Sequence, residues 1–190
     1  MYLQRNQEYD IRRFLKDHLQ NWSPDLCVVF KFGKNPSATE TKEVLKRTHL
    51  KLDRQILRQK LRRSVMMPDE RSEWVCLPEF GEFGLHYHAL IKIKSKNLSL
   101  GALMEDSWLY ETLTHELAKN RHQLTNKGTP ICWIKEYPED SNEQERTLNY
   151  WTKDIIQQWS EDTSVSSHKF DRLANIIFSK FDWQPSELRR

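Results

Sequence analysis

The chain has 190 residues, of which 37% are hydrophobic and 30% are charged, and seven of its aromatic residues are Trp. This composition is typical of a folded globular protein and excludes a disordered chain. The length predicts a single domain with room for an extra helix or two. No apolar run approaches the roughly 20 residues of a membrane span, and no signal peptide is visible, so we expect no membrane partner.

The first half of the chain combines helical and extended patterns. Apolar residues at helical spacing predict a helix over residues 5–20, which the polar and proline-containing segment 21–24 ends. The β-branched and aromatic run LCVVFKF predicts a strand over residues 26–32. Residues 39–62 return to helical spacing and predict a long amphipathic helix.

The second half of the chain begins with a β-hairpin. Two strands, over residues 74–80 and 85–94, surround Gly81 and Gly84. The remaining patterns predict a helix over 101–124, a strand over 131–137, a helix over 143–159 and a last helix over 168–181.

The order of these elements predicts an α+β fold with a β-α-β-β-α-β core. This is the ferredoxin-like arrangement, an antiparallel sheet with helices against one face, and the first and last helices are accessory to it. The fold by itself implies no function.

Three cysteines, Cys27, Cys76 and Cys132, lie among apolar residues, and no two of them form a CxxC pair. This odd count predicts reduced core residues. We therefore expect a protein of the cytosol or the nucleus, where thiols stay reduced.

The net charge is only +3, but the positive charges are unevenly distributed. Nine Lys and Arg residues lie between Lys42 and Arg63, against Glu43 and Asp53. Such a segment predicts either a contact with the phosphates of a nucleic acid or a solvated helix face. The candidates for a DNA contact are Lys51, Arg54, Arg58, Arg62 and Arg63.

His86 and His88 form an HxH pair on the second strand of the hairpin. Because successive side chains of a strand point to opposite faces, the two histidines share a face. Leu85, Tyr87 and Ala89 lie on the opposite face, which is apolar and predicted to be buried. The strand thus leaves both imidazoles on its more polar side.

The hairpin register decides which residue of the first strand joins the histidines. If the turn centres between Glu82 and Phe83, residue 79 lies opposite residue 86, and the hydrophobic pattern of both strands is satisfied. Glu79 then lies beside His86, with Glu82 as the rival candidate. Pro78 cannot donate to a strand neighbour, so we expect an edge position or a bulge there.

Two imidazoles and a carboxylate on a sheet surface predict a three-point site for a divalent cation. Mixed nitrogen and oxygen ligands suit Mn²⁺ or Mg²⁺, and Zn²⁺ or Co²⁺ could also occupy such a site. The alternative is that HxH belongs to an ordinary half-exposed strand.

Tyr150 lies on the predicted helix over 143–159, opposite its apolar stripe. Core packing does not explain a tyrosine in that position. Lys153 follows three residues later and is therefore a surface neighbour. A lysine ammonium favours the phenolate and can neutralise charge on an attacked phosphate, which predicts a nucleophile. The alternative is that Tyr150 is an ordinary exposed tyrosine of the helix and that its neighbour Lys153 has no part in any chemistry.

These motifs occur in a defined order. An apolar strand over residues 27–32 precedes the hairpin EFGEFGLHYHALI over residues 79–91, and Tyr150 of the segment NYWTK (149–153) follows 62 residues after His88. In this combination the chain resembles the catalytic domain of the HUH endonucleases over about residues 25–158. It is most similar to the single-tyrosine Rep proteins, which initiate rolling-circle or rolling-hairpin replication of small plasmids and single-stranded DNA viruses.

The resemblance implies that His86 and His88 bind a metal, Mn²⁺ or Mg²⁺, that Tyr150 is the nucleophile and that Lys153 is the lysine of its motif. It implies nicking and joining of single-stranded origin or hairpin DNA through a 5′-phosphotyrosine. The protein would act in the cytoplasm of a prokaryotic host, or in the nucleus if it comes from a eukaryotic virus. We expect the isolated domain to be a monomer, with oligomers on DNA left open.

The chain departs from the family pattern in four respects. The middle residue of the histidine–hydrophobic–histidine motif is usually bulky and apolar, and here it is Tyr87, which still fits a buried face. Asp154 stands where a two-tyrosine enzyme would have its second tyrosine, so we expect one nucleophile. The first strand lacks the Thr-rich motif common in viral Reps. No GxxxxGK[ST] motif occurs, so we expect no helicase domain, and either a longer Rep protein or a host helicase would supply that activity.

Three other functions remain open. One is a non-catalytic single-stranded nucleic-acid-binding module, since ferredoxin-like folds often bind single strands on the sheet. Another is a single-tyrosine transposase or relaxase, which shares the chemistry but acts on a different substrate. The third is a metal hydrolase that uses water, with Tyr150 in a structural role.

Overall fold

The computed structural model describes residues 5–33, 38–57, 71–81, 84–94, 101, 104, 107–119, 132–157 and 176–178. The principal helices are α1 (Arg5–Trp22), α2 (Ala38–Leu57), α3 (Ser107–Lys119) and α4 (Ser141–Gln157). The strands are β1 (Leu26–Gly33), β2 (Glu73–Gly81), β3 (Gly84–Lys92), β4 (Cys132–Glu136) and β5 (Ile177–Phe178). They form one sheet in the order β4-β1-β3-β2-β5.

Every neighbouring pair of strands in this sheet is antiparallel. The connection through α2 leads from β1 to β2, and β3 turns back to lie between them. The chain then passes through α3 and returns as β4 on the other side of β1. This is the split βαβ topology of a ferredoxin-like core, so the predicted α+β class is confirmed.

Helices cover both faces of the sheet. On one face, α2 and α3 bury the first core, which includes Val28, Phe30, Leu45, Tyr87 and Leu113. On the other face, α1 and α4 bury the second core, which includes Leu19, Leu77, Leu90, Leu148 and Trp151. We expected helices against one face of the core. Apolar side chains also lie on the second face, and α1 and α4 remove them from water.

The first four predicted helices agree with the structure wherever their residues are described. Residues 101 and 104 are helical, as is α3, in agreement with the helix predicted over 101–124. Residues 58–62, 120–124 and 158–159, at the ends of three predicted helices, lie outside the described residues.

The hairpin register was predicted correctly. Glu79 pairs with His86, and Pro78 with Tyr87, along an uninterrupted ladder from Glu73 to Gly81. On its other side β2 pairs with β5 only at Val75 and Cys76 among the described residues. Pro78 thus lies outside the β2–β5 pairing as far as these residues are described, and its missing N–H interrupts none of the described pairs.

The predicted last helix is wrong over the residues that can be compared. We expected a helix over 168–181, but Ile177–Phe178 form β5 against β2. β-branched and aromatic residues suit a strand, and here they pair with backbone groups that the edge of β2 offers. Residue 176 is not helical either, and residues 168–175 and 179–181 of this predicted accessory helix lie outside the described part of the chain.

All three cysteines are buried and free, as expected for reduced core residues. Burial raises the pKa of the Cys27 thiol to about 12, so this thiol stays protonated at neutral pH. Among the described helices, none is long and apolar enough to cross a membrane.

Candidate metal centre and nucleophile

β3 holds His86 and His88 on one face of the sheet, as its alternating pattern predicts. Tyr87 between them is completely buried in the first core, and this burial raises the pKa of its phenol above the usual value. His88 is also buried, with 4% of its surface exposed, whereas His86 is half-buried. The side chains on the opposite face of β3 are buried in the first core, and this burial fixes the position of the strand that carries both imidazoles.

Glu79 completes a compact cluster with the two histidines. Its Oε2 lies 3.0 Å from Nε2 of His86, and the same oxygen contacts Nε2 of His88. The hairpin produces this contact, because Glu79 pairs directly with His86 and lies diagonally from His88. All three predicted ligands are therefore brought together.

The donor set of this cluster fits a divalent cation. Three ligand atoms, one from each residue, lie within 4.8 Å of one another, and both imidazole nitrogens converge on one carboxylate oxygen. Nitrogen and oxygen donors in this combination are compatible with Mn²⁺, Mg²⁺, Zn²⁺ or Co²⁺, so the donors alone do not select the metal. Among the described residues, this is the one group of His, Cys, Asp or Glu side chains with such spacing.

α4 carries Tyr150 to the same face of the sheet. The helix begins after Asp140, whose carboxylate accepts hydrogen bonds from the backbone N–H groups of Asn142 and Glu143. Leu148 and Thr152 are completely buried beneath the helix, whereas 52% of Tyr150 is exposed. Tyr150 is thus on the outer side of α4, as predicted from the apolar stripe.

The ring of Tyr150 lies next to the buried histidine of the cluster. Its centroid is 6.0 Å from that of His88, and the two rings are nearly perpendicular. Trp151, the next residue, packs against His88 from the core side with a centroid distance of 4.7 Å. One turn of α4 therefore gives His88 both an exposed phenol and a buried indole as neighbours.

Two predicted residues of the site are only partly described or not described. The backbone of Lys153 lies in α4, one turn after Tyr150, but its side chain lies outside the described residues. Glu82, the rival metal ligand, lies entirely outside the described residues. Their roles stay predictions.

The two candidate DNA-binding residues that the structure describes do not join this site. Lys51 and Arg54 lie on α2, whose apolar residues pack on the opposite face of the sheet from Glu79 and the histidines. A strand of DNA lying across the histidine face would not meet them. Arg58, Arg62 and Arg63 lie outside the described residues.

Three side chains that were not predicted as site residues share the histidine face. Lys31 of β1 pairs with His86, and Val29 pairs with both His88 and Trp133 of β4. Paired residues point to the same side of a sheet, so Lys31, Trp133 and Lys135 lie on this face. Period-two alternation within β1 and β4 could have divided the residues of each strand between two faces of the sheet. The order of the strands was also needed to decide which of those residues share a face with the histidines.

Comparisons of the chain with protein-family models, with curated proteins and with solved structures found no match.

Proposed function

We propose that this protein nicks and joins single-stranded DNA, with Tyr150 as the nucleophile and a divalent metal held by Glu79, His86 and His88. The observation that carries the proposal is the position of Tyr150. Its phenol is exposed, and its ring lies 6.0 Å from His88, a member of the three-residue cluster. An exposed phenol beside this cluster would be accessible to a phosphate that the metal binds.

The chemistry follows from the groups that meet there. A bound Mn²⁺ or Mg²⁺ would polarise the scissile phosphate and offset the negative charge that develops on it. The Tyr150 oxygen attacks phosphorus as the bond from phosphorus to the 3′ oxygen breaks. The phenol gives up its proton to water, and the leaving 3′ oxygen takes one up from water, so the step is balanced. The products are a 5′-phosphotyrosine and a strand with a free 3′-hydroxyl.

The same intermediate accounts for joining. Because the phosphotyrosine is a phosphodiester, its formation roughly conserves bond energy, and the 3′-hydroxyl of another strand can reverse the step without ATP. A free 3′-hydroxyl can also prime DNA synthesis. This chemistry suits the start of rolling-circle replication of a plasmid or a single-stranded DNA virus, with helicase activity supplied by a host enzyme or by another part of a longer protein.

The direct test is a covalent complex. The protein is incubated with labelled single-stranded DNA, carrying candidate origin sequences, and Mn²⁺, and the products are separated under denaturing conditions. We expect a protein–DNA band that Tyr150→Phe abolishes and EDTA prevents. Tyr110→Phe is the matched control, because Tyr110 is also exposed but lies on α3, on the opposite side of the sheet.

The outcome also separates the alternatives. Metal-dependent cleavage without a covalent band, unchanged in Tyr150→Phe, would assign a hydrolase that uses water. DNA binding without cleavage would assign a non-catalytic module. A transposase or relaxase would form the same phosphotyrosine and differ in the DNA sequences that it joins.

A further inference from the structure

An exposed indole lies two strands away from the candidate metal centre, in the same cross-strand row. His88 on β3 pairs with Val29 on β1, and Val29 pairs with Trp133 on β4. Neighbouring strands are about 4.8 Å apart, so Trp133 is about 10 Å from His88 across the sheet. The flanking residues Cys132 and Ile134 pack into the first core, which directs Trp133 to the histidine face.

The exposure of Trp133 is not explained by packing. Half of its surface, 49%, is accessible, although a neighbouring part of the same sheet face is covered by α1 and α4. Single exposed apolar residues are common on protein surfaces, but Trp133 stands in the cross-strand row of His88 and next to a lysine ammonium. The row from His88 to Trp133 thus ends in an open aromatic surface at β4.

Positive charge accompanies this aromatic ring. Nζ of Lys135 lies 5.4 Å from the centroid of the Trp133 ring. Lys31 is on β1 opposite His86, between the cluster and β4 in the strand order. An aromatic ring with flanking ammonium groups matches the chemistry of a single-stranded nucleic acid, whose bases stack on the ring while its phosphates meet the cations.

We propose that Trp133 is a base-stacking platform for the DNA strand that enters the candidate active site, with Lys31 and Lys135 as its phosphate contacts. The assignment of the ligand as the substrate strand rests on the proposed function. A strand whose phosphate lies at Tyr150 and His88 would run over β1 toward β4 and place a nearby base on the indole. Stacking accepts every base, so this platform adds affinity and positioning rather than sequence specificity.

The test compares two probes that differ only in their bases. Fluorescence anisotropy measures the binding of a labelled oligothymidylate and of an abasic phosphodiester chain of equal length. The full chain carries Tyr150→Phe, and metal is absent, so no covalent product forms. Trp133→Ala should weaken oligothymidylate binding by roughly 5- to 150-fold, the loss expected for one base–aromatic stack. The same substitution should leave the abasic chain unaffected.

Further variants separate stacking from charge and from misfolding. Trp133→Phe, which keeps a ring, should retain most of the affinity for oligothymidylate, whereas Trp133→Leu, which keeps the bulk, should not. Lys135→Ala should weaken both probes and reduce the salt dependence of binding. Tyr110→Ala, which truncates an exposed aromatic residue on the opposite side of the sheet, should change neither.

Equal oligothymidylate affinity for Trp133→Ala and its parent would overturn the platform, as would an equal loss with the abasic chain. These binding results do not depend on the proposed chemistry. The formation of a covalent protein–DNA band by protein with Tyr150 intact tests that chemistry separately. A covalent band with no effect of Trp133 would reject the platform alone. A Trp133-dependent stack without any covalent band would reject the nickase and retain the platform.

Discussion

One carboxylate holds the candidate metal site together at the scale of single residues. Oε2 of Glu79 is in contact with both imidazoles, so the cluster depends on one oxygen of one side chain. With a metal bound, this carboxylate would contribute a negative charge, so the cluster would bind a dication more tightly than a neutral set of ligands would. The histidines alone would offer two neutral nitrogens.

Glu79→Gln therefore should reduce Mn²⁺ affinity by at least about 10-fold, since outer partners of metal ligands already contribute factors of this size. Isothermal titration calorimetry with Mn²⁺ measures the effect. Glu111→Gln, which changes an exposed carboxylate on α3, is the matched control and should bind Mn²⁺ like the parent. Equal affinities for both variants would remove Glu79 from the metal site.

At the scale of the elements, α4 and α2 each contact the sheet, and only the contact of α4 lies at the candidate site. α4 places Trp151 in the second core against the ring of His88. α2 is joined to the start of β2 by a buried polar network, in which Asp53 accepts hydrogen bonds from Arg71, from the backbone N–H of Ser72 and from its hydroxyl. The first contact lies at the site, and the second lies at the other end of β2.

Truncation of Trp151 should affect stability and metal binding together. Trp151→Ala leaves a cavity that costs about 3–5 kcal/mol of unfolding free energy, and His88 loses its packing partner, so Mn²⁺ affinity should fall as well. Urea unfolding and calorimetry measure the two effects. Trp108→Ala truncates an indole packed against the first core and should lower stability without changing Mn²⁺ affinity at temperatures where the variant is folded.

The network around His49 should make stability depend on pH. Burial lowers the pKa of His49 from 6.5 to about 4, against the opposing effect of Asp53 and with a smaller contribution from Arg71. Between these values the unfolded chain binds a proton that the folded chain does not. The stability contribution is therefore complete above pH 6.5 and declines as the pH falls toward 4, by about 2 kcal/mol at pH 5.

Urea unfolding at pH 7 and pH 5 checks this sign. His49→Gln keeps an N–H donor for the carbonyl of Ser72, which His49 contacts at 2.9 Å, but has no titrating ring. Its loss of stability between the two pH values should be smaller than that of the parent protein. A parent that loses no more than His49→Gln would show that this ring does not titrate as described.

Local sequence patterns predicted the hairpin register and the strands β1 and β4, but not the positions of β1 and β4 relative to the hairpin. Alternation over residues 74–94 defines a buried and a polar face, and only one register satisfies both strands, so Glu79, His86 and His88 could be brought together in advance. The neighbours of β3 depend on long-range pairing, which no pattern within β1 or β4 specifies, and Lys31 and Trp133 were missed for this reason. β5 is two residues long and is stabilised by the edge of β2, so its local pattern carried too little information.

At the scale of the whole molecule, the two helix layers divide the charged surface into separate regions. α2, which carries the described part of the basic run, packs with α3 on one face, while the metal cluster and Tyr150 lie on the other. Lys31 and Lys135, from β1 and β4, lie on the face of the cluster. The net charge of the chain is thus a poor guide to where a nucleic acid would bind.

This division predicts which charges contribute to DNA affinity. Lys31→Ala should weaken binding of oligothymidylate and lower its salt dependence, because one phosphate contact is lost. The double variant with Lys51→Ala and Arg54→Ala should bind within about 2-fold of the parent, because long-range effects between exposed charges are screened at physiological salt. A larger loss in the double variant than in Lys31→Ala would place the DNA on α2 and contradict the assignment of the binding face.

The identity of the residue joined to DNA tests the central claim most directly. The full chain, a single-stranded DNA that it cleaves and Mn²⁺ are combined, the adduct is digested with protease and nuclease, and the modified peptide is sequenced by mass spectrometry. We expect a nucleotide phosphate on the phenol of Tyr150 in a peptide from α4. A nucleotide on any other residue, or cleavage that leaves every peptide unmodified, would contradict the account.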